Sequence, residues 1–145
     1  MAEELLRKAF KIYGRNFDRA GETSTEIKEI LKGLNIDSGL IRRAVVVAFE
    51  AEMNVVMYAK SATFNFVITD ENIDLEIVDK GPGIADLEQA MQEGFSTASD
   101  EMREIGFGFG MGLPNIKKNA DQLNIESSVG EGTTLSARIR LNPNA

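Results

Sequence analysis

The segment Thr63–Asp79, TFNFVITDENIDLEIVD, contains two apolar-rich runs joined by a short polar link. In the second run, apolar residues alternate with Asp74 and Glu76, which is the two-residue period of a strand with one buried face. The polar link is short enough to join neighbouring antiparallel strands. The segment therefore predicts two strands, Thr63–Thr69 and Ile73–Asp79, side by side in one sheet.

The other elements follow from hydrophobic periodicity and from residues that start or stop helices. They are predicted as an edge strand at Ala9–Tyr13, helices at Ser24–Leu34, at Ser38–Ala59 with Ser38 as its N-cap, at Asp86–Glu93 and at Leu113–Ala120, an irregular segment at Gly94–Gly112, and strands at Ile125–Ser128 and Thr133–Leu141. Adjacent strands with short links, together with these helices, predict an α+β two-layer fold. We expect a mixed, mostly antiparallel sheet with helices on one face.

The composition suits one globular domain and narrows the chemistry. The chain has 145 residues, of which 43% are hydrophobic and 27% charged, so we expect a single domain over residues 1–145. No apolar run approaches the roughly 20 residues that span a bilayer, so we expect a cytoplasmic protein without a membrane partner. The net charge of −7 disfavours nucleic acid. Because histidine and cysteine are absent, acid–base chemistry falls to carboxylates, and any metal ion is expected to be a hard cation such as Mg²⁺.

The segment Glu104–Pro114, EIGFGFGMGLP, places a glycine at every second position four times in succession. It matches neither the dinucleotide-binding pattern G-x-G-x-x-G nor the P-loop pattern G-x-x-x-x-G-K-[ST]. Glycines that lead into a helix near Leu113 present free backbone N–H groups and the positive end of the helix dipole to an anion. A flexible surface loop is the alternative interpretation.

Two polar residues share a strand face with apolar neighbours. Asp79 has the parity of the isoleucines in its strand, and Thr133 has the parity of Leu135 and Ile139, so both are predicted to point toward the helix-covered face. A carboxylate beside a hydroxyl can read the edge of a base such as adenine, whose exocyclic amine is a donor. The alternatives are that Asp79 caps the following turn and that Thr133 is an ordinary β-forming residue with a satisfied hydroxyl.

The long predicted helix carries three polar residues in an otherwise apolar middle. At about 100° per residue, Glu50 and Asn54 lie one turn apart on one side, and Glu52 lies nearly opposite. A carboxylate and a carboxamide oxygen so arranged can handle a proton and Mg²⁺, respectively. The alternative is an ion pair between Arg43 and Glu50 with Asn54 at the surface. For Glu52 we expect an exposed position at the helix edge and no role.

Four motifs occur in the order typical of the GHKL ATPase/kinase superfamily. FEAEMNVVMYA resembles the N box of that superfamily, DKGPGI its first glycine box, GFGFGMGLP its second and GEGTTL its third, over Phe49–Leu135. The upstream segment GETSTEIKEILKGLNIDSGLIRRAVVVAFEAEMN resembles the branch of serine-protein kinases and anti-sigma regulatory factors related to RsbT, RsbW and SpoIIAB. Where relatives often carry histidine and then glycine after the N box, this chain has Tyr58 and Lys60-Ser61-Ala62.

The resemblance implies a Bergerat ATP-binding fold with ATP and Mg²⁺ as ligands. It implies that Glu50 is the general base, that Asn54 binds Mg²⁺, and that Asp79 reads adenine. It also implies that Gly94–Gly112 forms a lid over ATP. The remaining ATP-binding residues implied by the resemblance are Gly81 and Gly83 beside the base, Gly106, Gly108, Gly110, Met111, Gly112 and Leu113 beside the phosphates, and Thr133 in support of adenine recognition.

The same resemblance implies an ATP-dependent protein serine/threonine kinase and switch protein that phosphorylates a STAS-type antagonist in bacterial sigma-factor or stress regulation. Its partners would be a STAS-domain protein, a sigma factor or a phosphatase. The alternatives are an ATP-binding anti-sigma or partner-binding module with little kinase activity, and a stand-alone ATPase. Sensor histidine kinases share the motifs but require a phosphoacceptor histidine, which this sequence lacks.

Overall fold

The computed structural model describes residues 3–84, 89, 91–92 and 112–142, which form an antiparallel sheet with helices on one face. The strands are β1 (Glu4–Tyr13), β2 (Ser61–Thr69), β3 (Asn72–Asp79), β4 (Gln122–Ser128) and β5 (Gly132–Arg140), and the helices are α1 (Glu22–Gly33), α2 (Ser38–Tyr58) and α3 (Gly112–Asn119). The strand order is β1-β2-β3-β5-β4, and each neighbouring pair is antiparallel. The predicted α+β two-layer fold is confirmed, and within the described residues the sheet is antiparallel rather than mixed.

Most predicted elements are present with small changes at their ends. The edge strand β1 begins at Glu4 rather than Ala9, because the chain continues to pair with β2 toward its N-terminus. The prediction that Ser38 caps the second helix is wrong. Asp37 is the N-cap, and its carboxylate accepts hydrogen bonds from the backbone N–H groups of Gly39 and Leu40 at 3.0 and 3.3 Å. The predicted helix Asp86–Glu93 and all but the last residue of Gly94–Gly112 lie outside the described residues, apart from isolated positions 89 and 91–92.

The hydrophobic core lies between the sheet and α2. Alternate residues of the central strands are buried on the helix-covered face, which confirms the predicted strand parity. The helix α2 faces them with small and branched side chains, among them Ala44, Val47, Ala48, Ala51 and Val55. The buried side chains of α2 and of the central strands belong to one hydrophobic cluster, so α2 is packed against the sheet.

The opposite face of the sheet is polar. There Arg138 of β5 makes a two-point ion pair with Asp74 of β3 at 2.8 and 3.2 Å, and Asn65 donates to Glu76. An open groove of about 710 Å³ runs over these residues, but it shares no residue with the groups described below. None of the helices in the described ranges is both long and apolar enough to cross a membrane.

Candidate nucleotide-binding site

Asp79 ends β3 with its carboxylate half-buried. Its Oδ1 atom accepts two backbone hydrogen bonds, from Gly81 N at 3.0 Å and from Thr133 N at 3.1 Å. Burial raises the pKa of Asp79, while these two hydrogen bonds lower it. The bond from Gly81 is the turn-capping interaction, so the capping alternative is present in the structure. It uses only Oδ1, and within the described residues nothing donates to Oδ2, so one oxygen remains available as an acceptor.

The turn after β3 packs backbone to backbone against the β4–β5 turn. Gly83 has a φ of +78°, and a Cβ atom there would lie 2.3 Å from the carbonyl oxygen of Ser128. Gly132 has a φ of +120°, and a Cβ atom there would lie 2.2 Å from the carbonyl oxygen of Asp79. Neither position has room for a side chain. The two glycines therefore hold the strand end that carries Asp79 against the start of β5.

Thr133 lies beside Asp79, as its strand parity predicted, and it is joined there by Ser127. The two residues are cross-strand partners on β4 and β5, and their hydroxyl oxygens are 2.7 Å apart. Ser127 also accepts a hydrogen bond from Ile84 N at 2.7 Å. Sequence reasoning missed Ser127, although its parity with Ile125 on a strand that precedes a hairpin turn was a usable signal.

Glu50 and Asn54 lie on one side of α2, as predicted, and face the first residue of α3. A Cβ atom at Gly112 would lie 3.3 Å from Glu50 Oε2 and 3.3 Å from Asn54 Oδ1. The other carboxylate oxygen, Oε1, accepts a long hydrogen bond of 3.5 Å from Asn115 Nδ2. Burial raises the pKa of Glu50, and the bond from Asn115 lowers it. A half-buried carboxylate and a carboxamide oxygen thus meet at the N-terminal, positive end of a helix.

The alternative ion pair between Arg43 and Glu50 is wrong. Arg43 instead donates from Nε to the carbonyl oxygen of Asn119 at 3.0 Å and from its guanidinium to Asp121 Oδ1 at 2.9 Å. Its partners lie at the C-terminal end of α3, where a cation is favourable. Glu50 is therefore not neutralised by Arg43.

The expectation that Glu52 is exposed and without a role is also wrong. Its side chain is 2% exposed and accepts hydrogen bonds from the backbone N–H groups of Gly21, Thr23 and Ser24 at 3.0, 3.2 and 3.1 Å. These groups begin α1, and the N-cap residue of that helix, Gly21, makes no side-chain capping bond. Glu52 supplies the missing acceptor from α2, and this explains a carboxylate in the core.

The structure gathers the predicted site residues into two groups. Asp79, Gly81, Gly83 and Thr133 meet where β3 ends and β5 begins. Glu50, Asn54 and Gly112 meet where α2 faces α3, and the neighbouring Leu113 packs against the hydrophobic core. The predicted residues Gly106, Gly108, Gly110 and Met111 lie outside the described residues, and so does most of the predicted lid.

Asn54 and Glu50 carry oxygen atoms of the kind that Mg²⁺ prefers, but too few to bind the ion without phosphate and water. Among the described residues there is no cluster of three or more acidic, histidine or cysteine side chains that would hold a metal ion alone. Mg²⁺ commonly takes one or two protein oxygens and completes its octahedron with phosphate and water. The carboxamide oxygen of Asn54, which lies with the Glu50 carboxylate beside Gly112, fits that role.

Comparison with known proteins identifies the family to which the chain belongs. Residues 39–143 match the family described as histidine kinase-, DNA gyrase B-, and HSP90-like ATPase, and the chain belongs to this family. It is 31% identical to an anti-sigma F factor of Caldanaerobacter subterraneus over 114 residues, which are 79% of this chain and 72% of that protein. It is 41% identical to the serine/threonine-protein kinase RsbT of Bacillus subtilis over 59 residues, which are 41% of this chain and 38% of that protein. An anti-sigma F factor of Geobacillus is 27% identical over 92% of this chain and 80% of its own length.

Proposed function

We propose that this chain is an ATP-dependent protein serine/threonine kinase and switch protein that phosphorylates a STAS-type antagonist partner in the cytoplasm of a bacterium. The observation that carries the proposal is the position of Glu50. Its carboxylate lies at the N-terminus of α3, with Oε2 beside the backbone of Gly112 and the carboxamide oxygen of Asn54. This position supports the role of general base for Glu50 and of metal ligand for Asn54, since both lie at the end of a helix suited to bind phosphate.

The adenine end of ATP is assigned to Asp79 and Thr133. Asp79 keeps Oδ2 free of donors from the described residues, and it can accept a hydrogen bond from the exocyclic amine of adenine. Gly81 and Gly83 let the backbone turn directly beside this carboxylate. Membership of an ATPase family supports ATP as the nucleotide.

Asn54 is assigned to Mg²⁺, with Glu50 adjacent to it. When bound with ATP, Mg²⁺ neutralises charge on the phosphates. The residues of this chain then have two tasks. The N-terminal N–H groups of α3 would bind phosphate oxygens, and the carboxamide oxygen of Asn54 would hold the metal ion beside Glu50.

Glu50 is proposed to accept the proton of the hydroxyl group that receives the phosphate. The hydroxyl oxygen forms a bond to the γ-phosphorus, the bond from that phosphorus to the bridging oxygen of ADP breaks, and the hydroxyl proton passes to the Glu50 carboxylate. The chain has no histidine or cysteine to carry the phosphoryl group, so the acceptor is a hydroxyl, which we place on the partner protein. Similarity to a protein named as a serine/threonine kinase supports this reaction.

A second candidate function is an ATP-binding anti-sigma or partner-binding module with little kinase activity. It is supported by the names of the relatives that match most of this chain, which are anti-sigma F factors. Under this candidate the nucleotide shapes a surface that binds a sigma factor or a phosphatase. The two candidates differ in whether phosphate leaves ATP for the partner.

The test is incubation of the chain with radiolabelled ATP, Mg²⁺ and the STAS-domain proteins of the same organism, followed by detection of labelled protein. Asp79→Asn is the variant that disrupts adenine recognition: the amide oxygen would stay with the two backbone N–H donors, and the NH₂ group would face the exocyclic amine as a second donor. Asp74→Asn is the matched control, since Asp74 lies on the same strand but on the polar face of the sheet.

The proposal predicts one labelled STAS protein with the wild type and with Asp74→Asn, and none with Asp79→Asn. Calorimetry on the folded Asp79→Asn variant should show that ATP binding is lost. Retained ATP binding by that variant removes Asp79 from base recognition. Tight ATP binding by the wild type with no labelled partner favours the binding module.

A further inference from the structure

Asn115 of α3 contacts the carboxylate that is proposed as the general base. Its Nδ2 atom donates to Glu50 Oε1 at 3.5 Å, which is longer than a typical N–H···O hydrogen bond. The other carboxylate oxygen, Oε2, lies toward Gly112, where an added Cβ atom would be 3.3 Å from it and 3.3 Å from Asn54 Oδ1. The two oxygens of Glu50 therefore have different neighbours, an amide on one side and the proposed metal ligand on the other.

The chemistry of the two groups determines which end of the Asn115 amide faces Glu50. An ionised carboxylate has only acceptors, so it is the NH₂ group, and not the amide oxygen, that points to it. One turn further on, α3 is bonded to α2. The carbonyl oxygen of Asn115 accepts from Asn119 Nδ2 at 2.8 Å, and the carbonyl oxygen of Asn119 accepts from Arg43 Nε at 3.0 Å. These bonds hold the donor beside Oε1.

This arrangement determines which oxygen of Glu50 can accept a proton. A proton on Oε1 would face the hydrogens of the Asn115 amide, and the hydrogen bond would be lost. A proton on Oε2 leaves Oε1 as a carbonyl oxygen that still accepts from Asn115. Because Glu50 is half-buried, water does not fully replace a lost bond. Proton uptake at Oε2 is therefore favoured.

We propose that Asn115 is a positioning residue that holds Oε1 of Glu50, so that Oε2 is the oxygen that accepts the proton of the acceptor hydroxyl. The inference rests on the proposed role of Glu50 as general base, and it adds the residue that orients this base. Rotation of a carboxylate about its last torsion exchanges the two oxygens. Without the amide of Asn115 that rotation is less restricted, and Oε2 is directed toward Gly112 for a smaller share of the time.

The experiment measures single-turnover transfer to the STAS protein that the wild type labels, together with ATP·Mg²⁺ affinity by calorimetry. Asn115→Ala removes the donor. Asn115→Asp keeps the shape of the side chain but places a second set of acceptors against Oε1. Asn119→Ala is the matched control, because this asparagine lies one turn later on α3 and donates to a backbone carbonyl oxygen instead of Glu50.

We expect Asn115→Ala to lower the transfer rate about tenfold and Asn115→Asp to lower it at least as much, because both variants lose the bond that orients Glu50. The ATP·Mg²⁺ affinity of Asn115→Ala should stay within about twofold of the wild type. Asn119→Ala should keep both the rate and the affinity. A merely structural role instead predicts that rate and affinity fall together, and that result would overturn the proposal, as would an equal loss of rate in Asn119→Ala.

A double-mutant cycle tests whether Asn115 acts through Glu50. In the Glu50→Gln background the proton acceptor is already absent, so adding Asn115→Ala should cause no further loss of rate. A further loss of about tenfold in that background would show that Asn115 acts on another group, and it would overturn the proposal.

The contact itself can be tested without phosphate transfer, by NMR of the nucleotide-free chain in the presence of a chelator. The side-chain amide signals of Asn115, assigned through their loss in Asn115→Ala, should shift in Glu50→Ala, while those of Asn119 stay unchanged. Unmoved Asn115 signals would overturn the proposal even if the chain is a kinase. Shifted signals together with a wild type that labels no partner would confirm the contact and place the failure in the proposed kinase function.

Discussion

Arg43 and Glu50 lie on the same side of α2, and their side chains reach opposite ends of α3. Glu50 lies against Gly112 and Asn115 at the start of α3, and Arg43 bonds to the carbonyl oxygen of Asn119 at its end. The carboxylate is at the positive end of the helix dipole and the guanidinium at the negative end. Arg43 and Glu50 of α2 thus fix the position and direction of α3, and Glu50 is also the proposed general base.

Arg43→Met should loosen this attachment. The Arg43 side chain is 26% exposed, and its guanidinium donates to both Asn119 and Asp121. Loss of these bonds should lower the free energy of unfolding by about 1–2 kcal/mol. Urea unfolding without nucleotide measures the change. The exposed neighbour Arg42 is the control, and Arg42→Met should change stability by less than about 0.5 kcal/mol. Equal effects of the two substitutions would show that Arg43 does not anchor α3.

Glu52→Gln should destabilise the chain without touching the proposed site. The buried carboxylate accepts three backbone hydrogen bonds at the start of α1, and an amide group can accept with only one of its two atoms. We expect a loss of about 2 kcal/mol with an unchanged dependence on urea. Glu22→Gln is the control, because Glu22 is exposed at the same helix end. A wild-type unfolding midpoint for Glu52→Gln would contradict the capping role.

These two residues show where sequence reasoning reached its limit. The parity of Asp79 and Thr133 was predictable because a strand alternates with a fixed period, and so was the shared side of Glu50 and Asn54. The partners of Arg43 lie 76 and 78 residues away along the chain, and those of Glu52 lie 28–31 residues away. Helical periodicity predicts the side of α2 on which a residue lies, but it does not predict which end of another helix packs against that side. The N-cap of α2 is Asp37 and not Ser38. The sequence did not distinguish these adjacent residues, because Asp and Ser have similar preferences for the N-cap position.

Gly112→Ala should damage the site while leaving the fold intact. The added Cβ would lie 3.3 Å from the side-chain oxygens of Glu50 and Asn54, so both side chains must shift by a few tenths of an ångström. We expect ATP·Mg²⁺ affinity to fall about tenfold, and stability to change by less than about 1 kcal/mol. Gly33→Ala is the control, because a Cβ there would meet nothing within 4 Å. Calorimetry and urea unfolding on both variants decide the point, and unchanged affinity in Gly112→Ala would exclude the predicted contact.

Stability should depend on pH through Glu50. Burial raises the pKa of Glu50 in the folded chain above its ordinary value of 4.5, although Asn115 opposes the rise. The folded state therefore binds this proton more tightly than the unfolded state does. Above the raised pKa the charged Glu50 carboxylate lowers the free energy of unfolding. Below the ordinary pKa the carboxyl is protonated in both states, and this loss disappears. We expect Glu50→Gln to be more stable than the wild type at pH 7. The difference should shrink as the pH falls toward 4.5. Urea unfolding with a chelator and no nucleotide gives the comparison, and a pH-independent difference would contradict it.

The most direct test of the proposed reaction is single-turnover transfer of phosphate from ATP to the STAS partner, with the wild type and Glu50→Gln compared. Glutamine keeps the shape of the side chain but cannot accept the hydroxyl proton, a loss that typically costs about 10²–10⁴-fold in rate. We expect a labelled serine or threonine on the partner and a decrease of that size in the rate, with ATP affinity within a few-fold of the wild type. Transfer by Glu50→Gln at the wild-type rate would contradict the assignment of Glu50 as the base.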